Sequence, residues 1–315
     1  MKRAVLSVFF IFFFFLTVSL YAQQRTEFLL EKNWRFCKGD FPQAISNDFN
    51  DKNWEEVRIP HDWAIYGPFD RKHDLQEVAI IQNGEKVPTV KTGRTGGLPY
   101  MGVGWYRTFF DVKNFQSEKQ IITLKFDGAM SEARVYVNGK EVCFWPYGYN
   151  AFHCDVTEVL NTDGKNNLLA VRLENKPESS RWYPGAGLYR NVHVIQTNKI
   201  HVPVWGTYIT TPFVSEEYAS VRLRTEIAGD HKDIRIITEI RDADNKVVAF
   251  KDNRQQLNHG RPFEQNFIVE DPRLWSPETP YLYTAISSIF VDSTQTDEYT
   301  TRFGIRDIKF VADKG

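Results

Sequence analysis

Apolar and polar residues alternate along most of this chain with the period of a strand, and turn residues break the alternation about every ten positions. In "ARVYVNGKEV", residues 133–142, Ala133, Val135 and Val137 fall on one face and Arg134 and Tyr136 on the other, up to Asn138-Gly139. Asn-Gly tolerates the positive φ that both centres of a two-residue hairpin turn require, so the pair predicts a hairpin there. The alternation recurs in "QIITLKFDG" at 120–128, "NNLLAVRLEN" at 166–175 and "YRNVHVIQT" at 189–197. No amphipathic helix longer than two turns can be traced. Successive side chains of a strand point to opposite faces, so each strand must bury one face against a second layer. Many short strands at this spacing predict a β-sandwich or jelly roll.

The pattern restarts near residue 200. "HVPVWGTYITTPFV", "ASVRLRTEIAG", "DIRIITEIRDADNKVVAFK", "PFEQNFIVEDPRLWSP", "YLYTAISSIFVD" and "EYTTRFGIRDIKF" supply six or seven further strands, with Asp242-Ala243-Asp244-Asn245 as one hairpin turn. That count fits an immunoglobulin-like sandwich in architecture, without the Cys pair or central Trp of an antibody domain. The expected division places a first domain at 23–198 and a second at 199–311.

Residues 1–22 read as a secretory signal. Lys2 and Arg3 precede an apolar run from Ala4 to Leu20, and the small residue Ala22 offers a cleavage point, although Leu20 is larger than usual there. A retained membrane anchor is the alternative, but the run is short for a span. Export to the periplasm or outside the cell is expected, with no integral membrane segment after the signal is removed. Apolar residues at 42% and charged residues at 25% allow a sizeable core with a charged surface, and a net charge of −1 supplies no basic field for nucleic acid. Aromatic residues, at 15%, suit both strand packing and sugar contacts.

Cysteines occur at 37, 143 and 154 and cannot all pair internally. Buried free thiols are the preferred reading; Cys143 and Cys154, on either side of a turn, could alternatively bridge in an exported chain. The scattered His and Cys show no metal-ligand spacing, and neither a metal nor a cofactor is expected.

The segment "SSRWYPGAGLYRNVHVI", 179–195, is unusually aromatic and basic for a loop. Pro184 to Gly187 forms a tight reversal after Arg181 and Trp182. A second Gly-rich segment, "KTGRTGGLPYMGVGW", carries Arg94 and fits neither a dinucleotide nor a Walker pattern. His61-Asp62 before Trp63 forms a third polar group.

Taken in order, "NWRF", "RIPHDWAI" (58–65), "TGRTGGLPYMGVGWYRTF" (92–109), "VYVNGKEV" (135–142), "GYNAFHCDVTEVL" (148–160), "SSRWYPGAGLYRNV" (179–192), "LWSPETPYLY" (274–283) and "RFGIRDIKF" (302–310) resemble the N-terminal part of glycoside hydrolase family 2 enzymes, closest to exported bacterial β-galactosidases. The resemblance implies a jelly-roll sugar-binding domain, an immunoglobulin-like domain and then a catalytic (β/α)8 barrel. Residues 312–315 would begin the link to that barrel, which this sequence lacks. Retaining glycoside hydrolysis needs an acid/base and a nucleophile about 5–5.5 Å apart. The family carries both as Glu on the barrel, and no "W-G-x-x-N-E" run occurs here, so no catalytic residue is assigned. Asp62, Asp70, Asp74 and Glu178 are loop carboxylates better read as turn caps or salt-bridge partners, and Asp155 as a turn residue.

The resemblance implies that the 179–192 loop faces the barrel. Trp182 would then stack on a sugar and Arg181 bond its hydroxyls, or both would pack the domain interface. Ser180 stands where some relatives carry a sugar-contacting Asp. Asp62, Arg94, Arg181 and Trp182 are therefore the candidate substrate-rim or interface residues. The implied function is the non-catalytic portion of a β-galactosidase-like enzyme, ended before its barrel; the alternative is a complete carbohydrate-binding or scaffolding module. In the first case the partners are a β-galactoside and the missing barrel.

Overall fold

A computed structural model describes residues 25–70, 72–73, 75–91, 100–176, 185–230, 233–256 and 261–313. The expected signal at 1–22 lies outside these residues, as do Arg94, Arg181, Trp182, Asp74, Glu178 and Ser180. Among the described residues the regular structure is strands and single 3-10 turns; no helix is long and apolar enough to cross a membrane.

Two antiparallel sheets form the first sandwich. One contains β1 (Thr26–Leu29), β12 (Val192–Asn198), β7 (Gln120–Phe126) and β10 (Phe152–Asp155), in that spatial order. The other runs β3 (Glu55–Val57), β2 (Trp34–Lys38), β6 (Gly102–Phe110), β11 (Asn167–Asn175), β8 (Ala133–Val137) and β9 (Lys140–Trp145). A short ribbon of β4 (Gln76–Val78) and β5 (Thr89–Lys91) stands apart. Ile122, Leu124, Phe126 and Val194 of the first sheet meet Tyr106, Val135, Leu169 and Val171 of the second in one continuous core. Strands β7 and β8 bury every second residue, as their alternation requires. Central strands β6 and β11 are buried on both faces, because Phe41, Phe49 and Trp54 fold over their outer side with Trp105 and Ala170. Beneath that cover the buried Arg107 guanidinium donates to the carbonyls of Ser46 and Phe49 and pairs with Asp51.

Asn138 and Gly139 have φ of 48° and 81° and join β8 to β9 as a two-residue loop. The Asn138 amide also ties this hairpin to the next turn: Nδ2 donates to Asn167 Oδ1 at 2.9 Å, and Oδ1 accepts the Leu168 N–H at 2.9 Å. Asp155 accepts the Thr157 N–H at 2.9 Å, closing the turn expected of it.

The preferred reading of the cysteines is overturned for two of the three. Cys143 and Cys154 form a disulfide with Cα atoms 6.1 Å apart, joining β9 of one sheet to β10 of the other. Strand β10 folds back across the sandwich from β9, which brings the two Cβ atoms within bridging range. Cys37 is free and half-buried, and burial pushes its thiol pKa up.

The second sandwich pairs a sheet of β13 (Thr207–Val214), β14 (Tyr218–Thr225) and β17 (Phe263–Glu270) with one ordered β16 (Val247–Gln256), β15 (Asp233–Arg241), β18 (Tyr283–Val291) and β19 (Thr294–Phe303). Its core holds Val221, Leu223, Ile240 and Phe267, with Ile234, Ile236 and Ile289 toward one end. A polar trio sits among them: Thr238 Oγ1 donates to Gln265 Oε1 at 2.6 Å and lies 3.0 Å from Ser287 Oγ. The β15–β16 turn is fastened by Asp242 Oδ1, which accepts the Asp244 and Lys246 N–H groups at 3.0 and 2.8 Å.

Candidate functional site

The loop after β3 and the tail of the Pro-Gly-Ala-Gly reversal meet at one end of the first sandwich, and Asp62 joins them. Its Oδ1 accepts the Ala64 N–H at 2.9 Å and the Ala186 N–H at 3.0 Å. Main-chain bonds extend the clip: His61 N–H to Leu188 O at 2.8 Å and Trp63 N–H to Ala186 O at 3.1 Å. On the other flank Gly187 and Met130 exchange both of their main-chain bonds, each 3.0 Å long. Asn175, at the end of β11, donates Nδ2 to Gly185 O at 2.9 Å. Gly187 has φ of 109°, and a Cβ there would run into the Tyr106 hydroxyl and the His61 carbonyl, so glycine is required at this close approach.

A buried aromatic base supports the clip. Trp63 stacks on Phe36 with ring centroids 5.4 Å apart, and Phe36 packs against Tyr106 at 4.7 Å. His61 Nδ1 lies 2.7 Å from the Tyr106 hydroxyl. Burial holds the imidazole below its ordinary pKa and pushes the phenol well above its own. The pair is therefore neutral at neutral pH and works as a support rather than as a proton donor and acceptor.

Beyond the clip the chain presents tyrosines. The Tyr189 hydroxyl donates to Gly148 O at 2.7 Å, the Arg190 guanidinium lies over the Tyr189 ring at 5.4 Å, and exposed Tyr147 tilts against Tyr149 at 5.4 Å. Ile65, Tyr66 and Phe69, just after the clip, are also exposed. Of the four candidate rim residues, Asp62 is brought against the reversal that follows Arg181 and Trp182; those two and Arg94 lie outside the described residues. Asp70 caps its own turn through the Lys72 N–H at 2.9 Å. Sequence reasoning grouped His61 with Asp62 but passed over Tyr147, Tyr149 and Tyr106. The run "PYGYN", aromatic residues around a glycine, was the available signal for the first two; Tyr106, inside a strand, reads as ordinary core.

The exposed rings of Tyr66, Phe69 and Tyr147 can contact the apolar face of a polyhydroxylated ligand, while the clip amides are bonded within the fold. Among the described residues no three His, Cys, Asp or Glu side chains gather as a metal site.

A jelly-roll sandwich with a clipped loop cluster, followed by an immunoglobulin-like sandwich, defines a tandem all-β module. The family follows from direct comparison. Residues 29–198 match the description "Glycosyl hydrolases family 2, sugar binding domain" and residues 200–306 match "Glycosyl hydrolases family 2". The chain belongs to glycosyl hydrolases family 2. A β-galactosidase of Bacteroides ovatus is 36% identical over 299 residues, covering 93% of this chain and 33% of that protein. A crystal structure of a family 2 member from Bacteroides cellulosilyticus superposes with a TM-score of 0.80 at 31% identity, over 92% of this chain and 36% of the other. A Bacteroides uniformis β-glucuronidase superposes with a TM-score of 0.75 at 27% identity, over 91% and 33%. The chain thus spans about a third of the length of the relatives it matches.

Proposed function

We propose that this chain is the sugar-binding and immunoglobulin-like portion of an exported β-galactosidase-like enzyme that hydrolyses terminal β-galactosides with retention. Residues 23–198 and 199–311 form its two domains after removal of a signal at 1–22. The acid/base and nucleophile come from a barrel joined through residues 312–315, and the present residues shape the rim of the sugar site. Asp62 sets the position of the 185–188 backbone and, through it, the approach of Trp182 and Arg181. Trp182 stacks on the apolar face of the sugar, Arg181 bonds its hydroxyls, and Arg94 reaches in from the Gly-rich loop. The Cys143–Cys154 bridge supports export, since disulfides persist in oxidising compartments.

The observation that carries this reading is the identity to the Bacteroides ovatus β-galactosidase along almost the whole chain. The test is to express the coding region through its next stop codon and, separately, residues 23–315. Each product is assayed with p-nitrophenyl β-galactoside and β-glucuronide. Hydrolysis of the galactoside by the longer product and none by residues 23–315 is expected. Turnover by residues 23–315, or a preference of the longer product for glucuronide, overturns it.

A further inference from the structure

The face of the four-stranded sheet turned away from the core is laid out in cross-strand rows. One row reads Leu29, His193, Lys125 and His153; the next reads Glu27, Ile195, Thr123 and Asp155. Hydroxyl, imidazole, ammonium and carboxylate groups therefore stand side by side at the spacing of neighbouring strands, about 5 Å. A recess of about 560 Å³ opens over this face, its walls including Ile121 and Ile195 beside Thr123, His153, Asp155 and Lys199. A smaller one of about 240 Å³ adjoins it beside Glu27, Lys125 and Tyr299.

Trp205 stands at the edge of both rows. It is the third residue of the turn Pro203–Gly206, closed by the Gly206 N–H to Pro203 O at 2.9 Å. Its φ is 60°, at a position where turns favour glycine or asparagine. Its main-chain N–H donates to the Tyr299 hydroxyl at 3.2 Å, and its ring meets the His153 ring edge-on at 5.3 Å, while 55% of the residue stays exposed. Packing does not account for this residue, because a glycine would fit the turn without strain and a buried indole would gain more.

We infer that Trp205 and the outer rows of β7, β10 and β12 form a binding platform for a neutral saccharide chain, with Trp205 stacking on one sugar ring and Thr123, His153 and Asp155 bonding hydroxyls of the next. The indole offers a flat apolar face, and the rows offer donors and acceptors within one sugar length. Around the two recesses Arg25, Lys125 and Lys199 stand against Glu27, Asp155 and Glu298, so the lining charges balance, which favours a neutral chain over a uronate. Burial holds His153 below its ordinary pKa, so its imidazole is neutral and can both donate and accept.

The test uses the intact chain, titrated by calorimetry and ligand-observed NMR with β-1,4-galactotetraose, cellotetraose and mannotetraose. Binding of at least one, with a Kd on the order of 0.1–1 mM for so open a surface, is expected. Trp205→Gly should keep or raise the thermal midpoint and weaken that binding by roughly tenfold or more. His153→Ala should weaken it less. Absence of binding by all three sugars at 20 mM (roughly twenty times that upper Kd) overturns the inference. So does binding that survives Trp205→Gly.

Discussion

Replacing Asp297 with Ala should loosen the second sandwich from the first, and the size of the effect follows from what the carboxylate holds. Asp297 lies on β19 and is fully buried. Its Oδ1 accepts Arg25 Nε at 3.1 Å, and its Oδ2 accepts Arg25 Nη2 and the Val202 N–H, each at 2.8 Å. Arg25 precedes β1 in the first sandwich, Val202 lies in the connection, and the guanidinium also sits over the Tyr299 ring at 4.8 Å. Removing the carboxylate leaves a nearly buried cation without its counter-charge and an amide without its acceptor. Breaking one side of such a pair costs about 3–5 kcal/mol. Removing both charges should cost less, because no uncompensated ion remains; the loss is then about 1–3 kcal/mol for the Val202 N–H. The assay is urea unfolding of wild type, Asp297→Ala, Arg25→Ala and the double variant, followed by tryptophan fluorescence. The expected pattern is two severely destabilised single variants and a double variant more stable than either. Additive losses in the double variant, or a loss below about 1 kcal/mol in Asp297→Ala, would refute the reasoning.

Three further outcomes are expected. Asp62→Ala should release the Ala64 and Ala186 amides to fast hydrogen exchange and cost about 1–3 kcal/mol while the sheet amides stay protected. Reducing the Cys143–Cys154 bridge, or replacing both residues with Ser, should cost about 3 kcal/mol for a loop of this length, read as a lower thermal midpoint that dithiothreitol reproduces in the wild type. The third concerns pH. His193 lies between Glu27 at 2.6 Å and Asp127 at 2.8 Å, which raises its pKa from 6.5, chiefly through the bond to Glu27; the same bond lowers Glu27 from 4.5 to about 2. The Glu27 contribution is complete above pH 4.5 and lost as pH falls toward 2. That of His193 is complete below 6.5 and lost as pH rises through its raised value. The cluster should therefore stabilise most between about pH 4.5 and 6.5, by a modest amount given its partial exposure. Thermal midpoints of wild type and His193→Gln should converge as pH rises above 6.5, and parallel curves across that rise would count against the assignment.

The local order of this protein is written in its sequence. Alternation with period two fixes which side chains face inward, as in β7, β8 and β17, and Asn138-Gly139 fixes a hairpin because few other pairs accept its φ angles. The ordered motifs from "RIPHDWAI" to "RFGIRDIKF" carry the family in the same way. Alternation does not say which strand lies beside which. The order β1-β12-β7-β10, the placement of Cys154 opposite Cys143, and the meeting of Asp62 with Ala186 and of Arg25 with Asp297 join positions 11 to 272 residues apart. Such contacts form only when whole sheets dock, and their strength depends on burial that no short window of sequence contains. Trp205 shows the same limit: an aromatic beside a glycine reads as an ordinary turn, and only the packed sandwich sets it over a polar sheet face.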